Sequence, residues 1–190
     1  MPLTKIQSLG ITDGTIVNAD INASAAIAGT KLSGAGKVLQ VVSTVFNTTT
    51  SNSSNAFVTT GLSGSITPSS ASNKVLILIQ VGACGGSPST AFRIFKDGSH
   101  LTGASGTAVS ARIAVAFRSL AVQADDAHAA SCSFAYLDSP ATTSSTTYAL
   151  HFLNQSTFTS HINRDGTNND TALSYGSRTA STITLMEIAA

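Results

Sequence analysis

The sequence predicts an all-β chain: an extended N-terminal arm over residues 1–36, followed by a jelly-roll-like antiparallel β-sandwich over residues 37–190. Three observations carry this expectation. From Lys37 onward, short runs of β-branched and aromatic residues alternate with turns rich in Gly, Ser, Thr and Asn, which suits pleated strands and disfavours helix. No stretch carries an amphipathic helical repeat with caps; the Ala-rich segment 121–130 is the only candidate and reads as a loop or a single turn. The first 36 residues follow neither the helical nor the strand period.

In that leader, branched apolar residues fall at Ile6, Ile11, Ile16, Ile21, Ile27 and Leu32, a spacing of five, five, five, six and five. Small and polar residues fill the intervals, among them Asp13-Gly14 and Ala23-Ser24-Ala25-Ala26. So few apolar groups cannot offset the entropy of ordering the segment on its own. The six side chains are therefore expected to act as anchors, buried on another chain or on copies of themselves. Fully extended, the arm would reach roughly 120 Å at ~3.3 Å per residue. Gly34-Ala35-Gly36 forms the hinge to the second region.

Lys37 to Asn47 reads as the first strand, Thr48 to Asn55 as a loop and Ala56 to Thr60 as a second strand. Val75 to Val81 (VLILIQV) is apolar at successive positions, which predicts burial on both faces. Ala91 to Phe95 leads into Asp97-Gly98, a hairpin turn pair. Ala111 to Val122 shows the cleanest alternation, with Ile113, Val115 and Phe117 opposite Arg112, Ala114, Ala116 and Arg118. Cys132, Phe134 and Tyr136 share one face, as do Tyr148, Leu150 and Phe152. Phe158 to Ile162 and Ile183 to Ile188 complete eight or nine strands, the number of a jelly roll.

Composition narrows the function. Only 10% of residues are charged, while 28 serines and 25 threonines make the surface polar without being ionic. Weak self-repulsion eases lateral association. The net charge is +1 and no basic run exists, so nucleic acid is not an expected partner. The run Val75 to Ile79 is too short to span a membrane, and Met1 to Gln7 has no apolar core of a secretory signal. Cys84 and Cys132 are expected to be reduced and to serve as small core residues.

A search for chemistry returns little. His100, His128, His151 and His161 have no metal-ligand spacing with one another or with the cysteines, and are expected at the solvent or at a subunit contact. Asp125-Asp126 beside His128 reads as a loop tip, since a catalytic carboxylate pair needs two separately placed groups in a pocket. Asp165 to Asp170 (DGTNND) resembles part of a calcium loop but lacks the closing glutamate, so turn chemistry is expected. No nucleophile elbow, phosphate loop or dinucleotide fingerprint is present. The expectation is a non-enzyme without cofactor or metal.

The arm text Ile6-Gln7-Ser8-Leu9-Gly10-Ile11-Thr12-Asp13-Gly14-Thr15-Ile16, continued by Ala19-Asp20-Ile21-Asn22 and Ala25-Ala26-Ile27-Ala28-Gly29-Thr30-Lys31-Leu32, resembles the short repeats of bacteriophage fibre and virion-surface proteins, particularly of marine and cyanobacterial phages. Gly36-Lys37-Val38-Leu39-Gln40-Val41-Val42, Ile66-Thr67-Pro68-Ser69-Ser70 and Thr182-Ile183-Thr184-Leu185-Met186-Glu187-Ile188 are similar to the same group. The resemblance implies a homotrimer with an N-terminal attachment region and a β-rich knob. No long shaft is present, so it implies a compact virion attachment, a capsid decoration (cement) protein or head fibre bound to the major capsid protein or another virion protein. Such a protein would be made in the host cytoplasm and end on the virion surface. The alternative in the same group is a tail-fibre tip that recognises host surface polysaccharide.

Overall fold

A computed structural model describes residues 37–87, 89–120, 129–154, 158–167 and 177–190. The arm 1–36, with its anchors Ile6, Ile11, Ile16, Ile21, Ile27 and Leu32, lies outside the described residues.

The described residues form eleven strand segments: β1 (Val38–Phe46), β2 (Thr50–Asn52), β3 (Val58–Ile66), β4 (Lys74–Gly85), β5 (Ser89–Lys96), β6 (Ser99–His100), β7 (Phe117–Leu120), β8 (Ala129–Asp138), β9 (Thr146–Leu153), β10 (Ser160–Ile162) and β11 (Ser181–Ile188). All pairings are antiparallel. β8 occupies one edge of β4 as far as Gly85, so β10, which pairs Cys84 and Gly85, continues β11 along the other edge. β2 continues β1 in the same way, and β6 and β7 share the outer edge of β5. The segments thus fill eight positions in two sheets. Sheet A runs β1/β2, β11/β10, β4, β8; sheet B runs β3, β9, β5, β7/β6. The first strand pairs with the last and the chain crosses between sheets at nearly every step, which is jelly-roll connectivity.

Alternation produces the core. Ile77, Ile79, Ile183 and Leu185 from sheet A meet Leu62, Phe92, Leu150 and Phe152 from sheet B, all fully or almost fully buried. A stack of three rings closes the side of the sandwich: Phe117 lies 4.7 Å from Phe92 and 5.3 Å from Phe134, which belongs to the opposite sheet. Cys132, Phe134 and Tyr136 pack on this core, as their shared face predicts. At the β5–β6 hairpin, Asp97 and Gly98 both take positive φ (49° and 79°), the requirement of a type I′ turn. Asp97 Oδ1 then accepts the Thr147 amide at 2.8 Å, tying the turn to β9.

Four expectations need correction. Val75 to Val81 is not buried on both faces: Val75, Ile77, Ile79 and Val81 point inward, while Leu76 and Leu78 are only half-buried and Gln80 is exposed. Within the described residues no layer lies outside sheet A. Ala111 to Val122 is a strand only from Phe117 to Leu120 among the residues described. The reason is competition for one edge: β6 already pairs Phe95 and Lys96, leaving Ser89–Phe92 for β7. Thr48 to Asn55 contains the short strand β2, and the strand expected at Ala56 to Thr60 runs instead from Val58 to Ile66. His161 is buried and not at the surface; Arg164 Nη2 donates to its Nδ1 at 2.7 Å, and Ser51 Oγ stands 2.7 Å from the same nitrogen.

Candidate interaction surface

The chemistry-bearing side chains serve the fold. Glu187 is 1% exposed at the inner edge of β11. Its carboxylate accepts hydrogen bonds from Asn73 Nδ2 (2.6 Å), the Ser69 amide (2.6 Å), Ser69 Oγ (2.7 Å) and Gln40 Nε2 (2.6 Å). Burial pushes its pKa up, but these donors outweigh it and hold the group at about 2. The loop before β4, β1 and β11 are thereby tied to one charge. Asp138 pairs with Lys96 Nζ at 2.9 Å and accepts the Tyr148 hydroxyl at 2.6 Å. Burial first, and then the Asp138 bond and charge, raise the Tyr148 pKa far above its ordinary value. Asp165 Oδ1 accepts Thr167 Oγ1 at 3.0 Å. Each of the four carboxylates among the described residues is thus committed to a local structural contact. Asn168 to Asp170 and Asp125, Asp126 and His128 lie outside the described residues.

The cysteines behave as core. Burial pushes Cys84 up to about 11; burial and then the neighbouring Cys84 push Cys132 up to about 12, so both are protonated thiols at neutral pH. Among the described residues no group of three or more His, Cys, Asp or Glu could hold a metal ion. No helix there is long and apolar enough to cross a membrane.

The outer face of sheet B carries an aromatic and polar shelf. His151 stacks on Phe95 with ring centres 3.8 Å apart, and His100 tilts against the same ring. Arg93 lies 4.1 Å over the Phe57 ring and donates through Nε to the Ala114 carbonyl at 2.8 Å. Burial lowers the pKa of both histidines, helped at His100 by the Arg93 charge, so both are neutral at pH 7. Beside the shelf lies a shallow cleft of about 280 Å³ whose lining includes Asn55, Ser89, Arg118 and Asn154.

The outer face of sheet A differs in kind. Strand register sets its side chains in rows across four strands. Val41 faces Met186, Met186 faces Leu76 and Leu76 faces Leu137, a continuous apolar row. The next row is Ser43, Thr184, Leu78 and Ala135, and the next Val45, Thr182, Gln80 and Ser133. Val41 is 55% exposed, Val45 61% and Leu137 45%. A groove of about 460 Å³ runs between Leu78, Gln80, Ser133, Ala135, Thr182 and Thr184. Lys74, at one end, is the only charged side chain among these positions of β1, β11, β4 and β8. Comparison with known protein families and with curated proteins finds no match for this chain.

The anchors Ile6, Ile11, Ile16, Ile21, Ile27 and Leu32 lie outside the described residues. The row Val41–Met186–Leu76–Leu137 was missed by sequence reasoning, which saw only the excess of apolar residues in Val75 to Val81. Its members come from four distant strands, so register alone reveals it.

Proposed function

We propose that this chain is a structural, non-enzymatic protein of a bacteriophage virion surface, a homotrimeric capsid decoration protein or head fibre attached through its arm. The observation that supports a structural role is the apolar row Val41–Met186–Leu76–Leu137 across the sparsely charged outer face of sheet A, on a sandwich whose described carboxylates are all engaged in holding its own loops. Large uncovered apolar patches on a folded domain mark contacts with other macromolecules. The virion setting rests on the resemblance of the arm and of the segments Gly36 to Val42, Ile66 to Ser70 and Thr182 to Ile188 to phage surface proteins. In this reading Ile6, Ile11, Ile16, Ile21, Ile27 and Leu32 seat in a groove of the major capsid protein or another virion protein. Binding only the assembled lattice stabilises it by mass action.

The test is the triple variant Ile11→Asp, Ile16→Asp, Ile21→Asp. It should remain folded and soluble, yet fail to co-sediment with particles that bind the wild-type chain. Incorporation equal to wild type refutes attachment through the arm. A second reading, a tail-fibre tip for host polysaccharide, is favoured by the mixed cleft that sets Asn55, Ser89, Arg118 and Asn154 among Ile113 and Leu153 beside the Phe95–His151 shelf. Glycan-array binding by the chain would support it over decoration.

A further inference from the structure

We infer that the cleft on the outer face of sheet B binds one ring of an acidic saccharide, with its carboxylate on Arg118, a hydroxyl on the Asn154 amide oxygen and its apolar face on Leu153 and Ile113. The inference rests on the polysaccharide reading above and gives it a subsite and a sugar class; it is independent of how the arm attaches.

The cleft is assembled from three parts. Leu153, Ala91 and Arg118 stand opposite one another on β9, β5 and β7 and form its floor. The segment with Asn55 makes one wall, and the segment with Ala111 and Ile113 the other. Arg93, two positions along β5 from Ala91, fastens both walls. Its guanidinium lies 4.1 Å over the Phe57 ring, and its Nε donates to the Ala114 carbonyl at 2.8 Å. Walls held in place before a ligand arrives lower the ordering cost of binding. The volume of about 280 Å³ lies just under the usual range of small-molecule sites, roughly 300–1,000 Å³, and suits a single ring.

Two polar groups in the lining select the ligand. Asn154 is 1% exposed; its Nδ2 donates to the Phe158 carbonyl, which fixes the orientation of the amide, and its Oδ1 has no hydrogen-bond partner among the described residues. A buried acceptor left unpaired is costly, so this oxygen suits a donor such as a sugar hydroxyl. Arg118 is exposed and donates through Nη1 to Ser89 Oγ at 2.9 Å. It makes no ion pair among the described residues, and the rest of its planar fork matches a carboxylate. The surroundings add to its charge. With Arg93, and with Arg112 between Ala111 and Ile113, three of the chain's ten basic residues stand in or beside the cleft, while no described carboxylate lines it. A ligand that offers a hydroxyl, an anion and an apolar C–H face within the span of one ring is a sugar acid.

Calorimetric titration of the full chain with a galacturonic acid trisaccharide, and with the same trisaccharide as its neutral methyl ester, tests this. The acid form should bind about tenfold or more tighter than the ester, the range of a hydrogen bond to a charged group. Wild type should likewise select the acidic members of a glycan array. Arg118→Gln should bring the acid form down to the affinity of the ester, which itself should not change. Lys74→Gln, on sheet A, should alter neither. Should Arg118→Gln lose its far-UV circular dichroism, Ile113→Asp, at an exposed wall position that sets a carboxylate against the ligand, gives the same reading. A preference for the acid form that survives these variants overturns the site and leaves the polysaccharide reading standing. Equal binding of acid and ester, or array binding confined to neutral glycans, overturns the acidic class and leaves that reading standing. Binding of no glycan, acidic or neutral, overturns both.

Discussion

Glu187 shows how a protein with few charges uses one. Its carboxylate is buried, and its donors come from Gln40 of β1 and from Ser69 and Asn73 in the loop before β4. The linkage sign follows from a folded pKa near 2 against an ordinary 4.5. A depressed pKa means that the contribution is complete above about pH 4.5 and is lost as pH falls through about 2. Thermal melts of wild type should therefore decline over that window. Glu187→Gln should flatten this decline and cost about 1–3 kcal/mol at pH 7 in urea titrations, because one acceptor becomes a donor facing Gln40 Nε2. An unchanged pH dependence in the variant would remove Glu187 from the account. Asn163 works similarly without charge. It sits at φ 63° and donates to the Phe46 and Thr48 carbonyls at 2.7 and 2.9 Å, while its Oδ1 accepts Ser181 Oγ at 2.6 Å. Through it, the join between β1 and β2 is fastened to the start of β11.

Among the elements, β3 carries a specific backbone demand. The register between β3 and β9 shifts between Thr59 and Ser63, and Gly61 there has φ 93°. A Cβ at Gly61 would stand 2.7 Å from the Phe46 ring, whereas one at Gly98 meets nothing within 4 Å. Gly61→Ala should cost about 1–3 kcal/mol, and more than Gly98→Ala, in paired urea titrations. Equal costs would contradict a steric role for Gly61. This bulge also explains why β3 was read too short. Gly61, Ser63 and Gly64 lack strand propensity, and β9 supplies the pairing that overrides it. By contrast β1, β5, β9 and β11 were legible because their alternation matches the face they bury. The strand expected from Ala111 failed for a reason no local pattern contains, namely that the β5 edge was already taken by β6. The double burial expected of Val75 to Val81 failed because it needs an outer layer that this chain does not provide among the described residues.

At the scale of the molecule, the arm and sheet A state the same principle in two ways. The arm spaces branched apolar residues along the sequence, and sheet A lines up partly exposed ones across four strands. The arm's regular spacing was visible in the sequence, because its anchors are neighbours along the chain. The apolar row of sheet A was not, because Val41, Leu76, Leu137 and Met186 become neighbours only through strand order. In sequence the arm leads into β1, the edge strand of the sheet that carries the row. Attachment through the arm is the central claim. Hydrogen exchange of the amides of residues 6–32, measured on the dispersed full chain and on the same chain bound to particles, tests it most directly. The account predicts fast exchange in the dispersed chain and slow exchange around Ile6, Ile11, Ile16 and Ile21 once bound. Equal exchange in the two states, whether fast or slow, would contradict it.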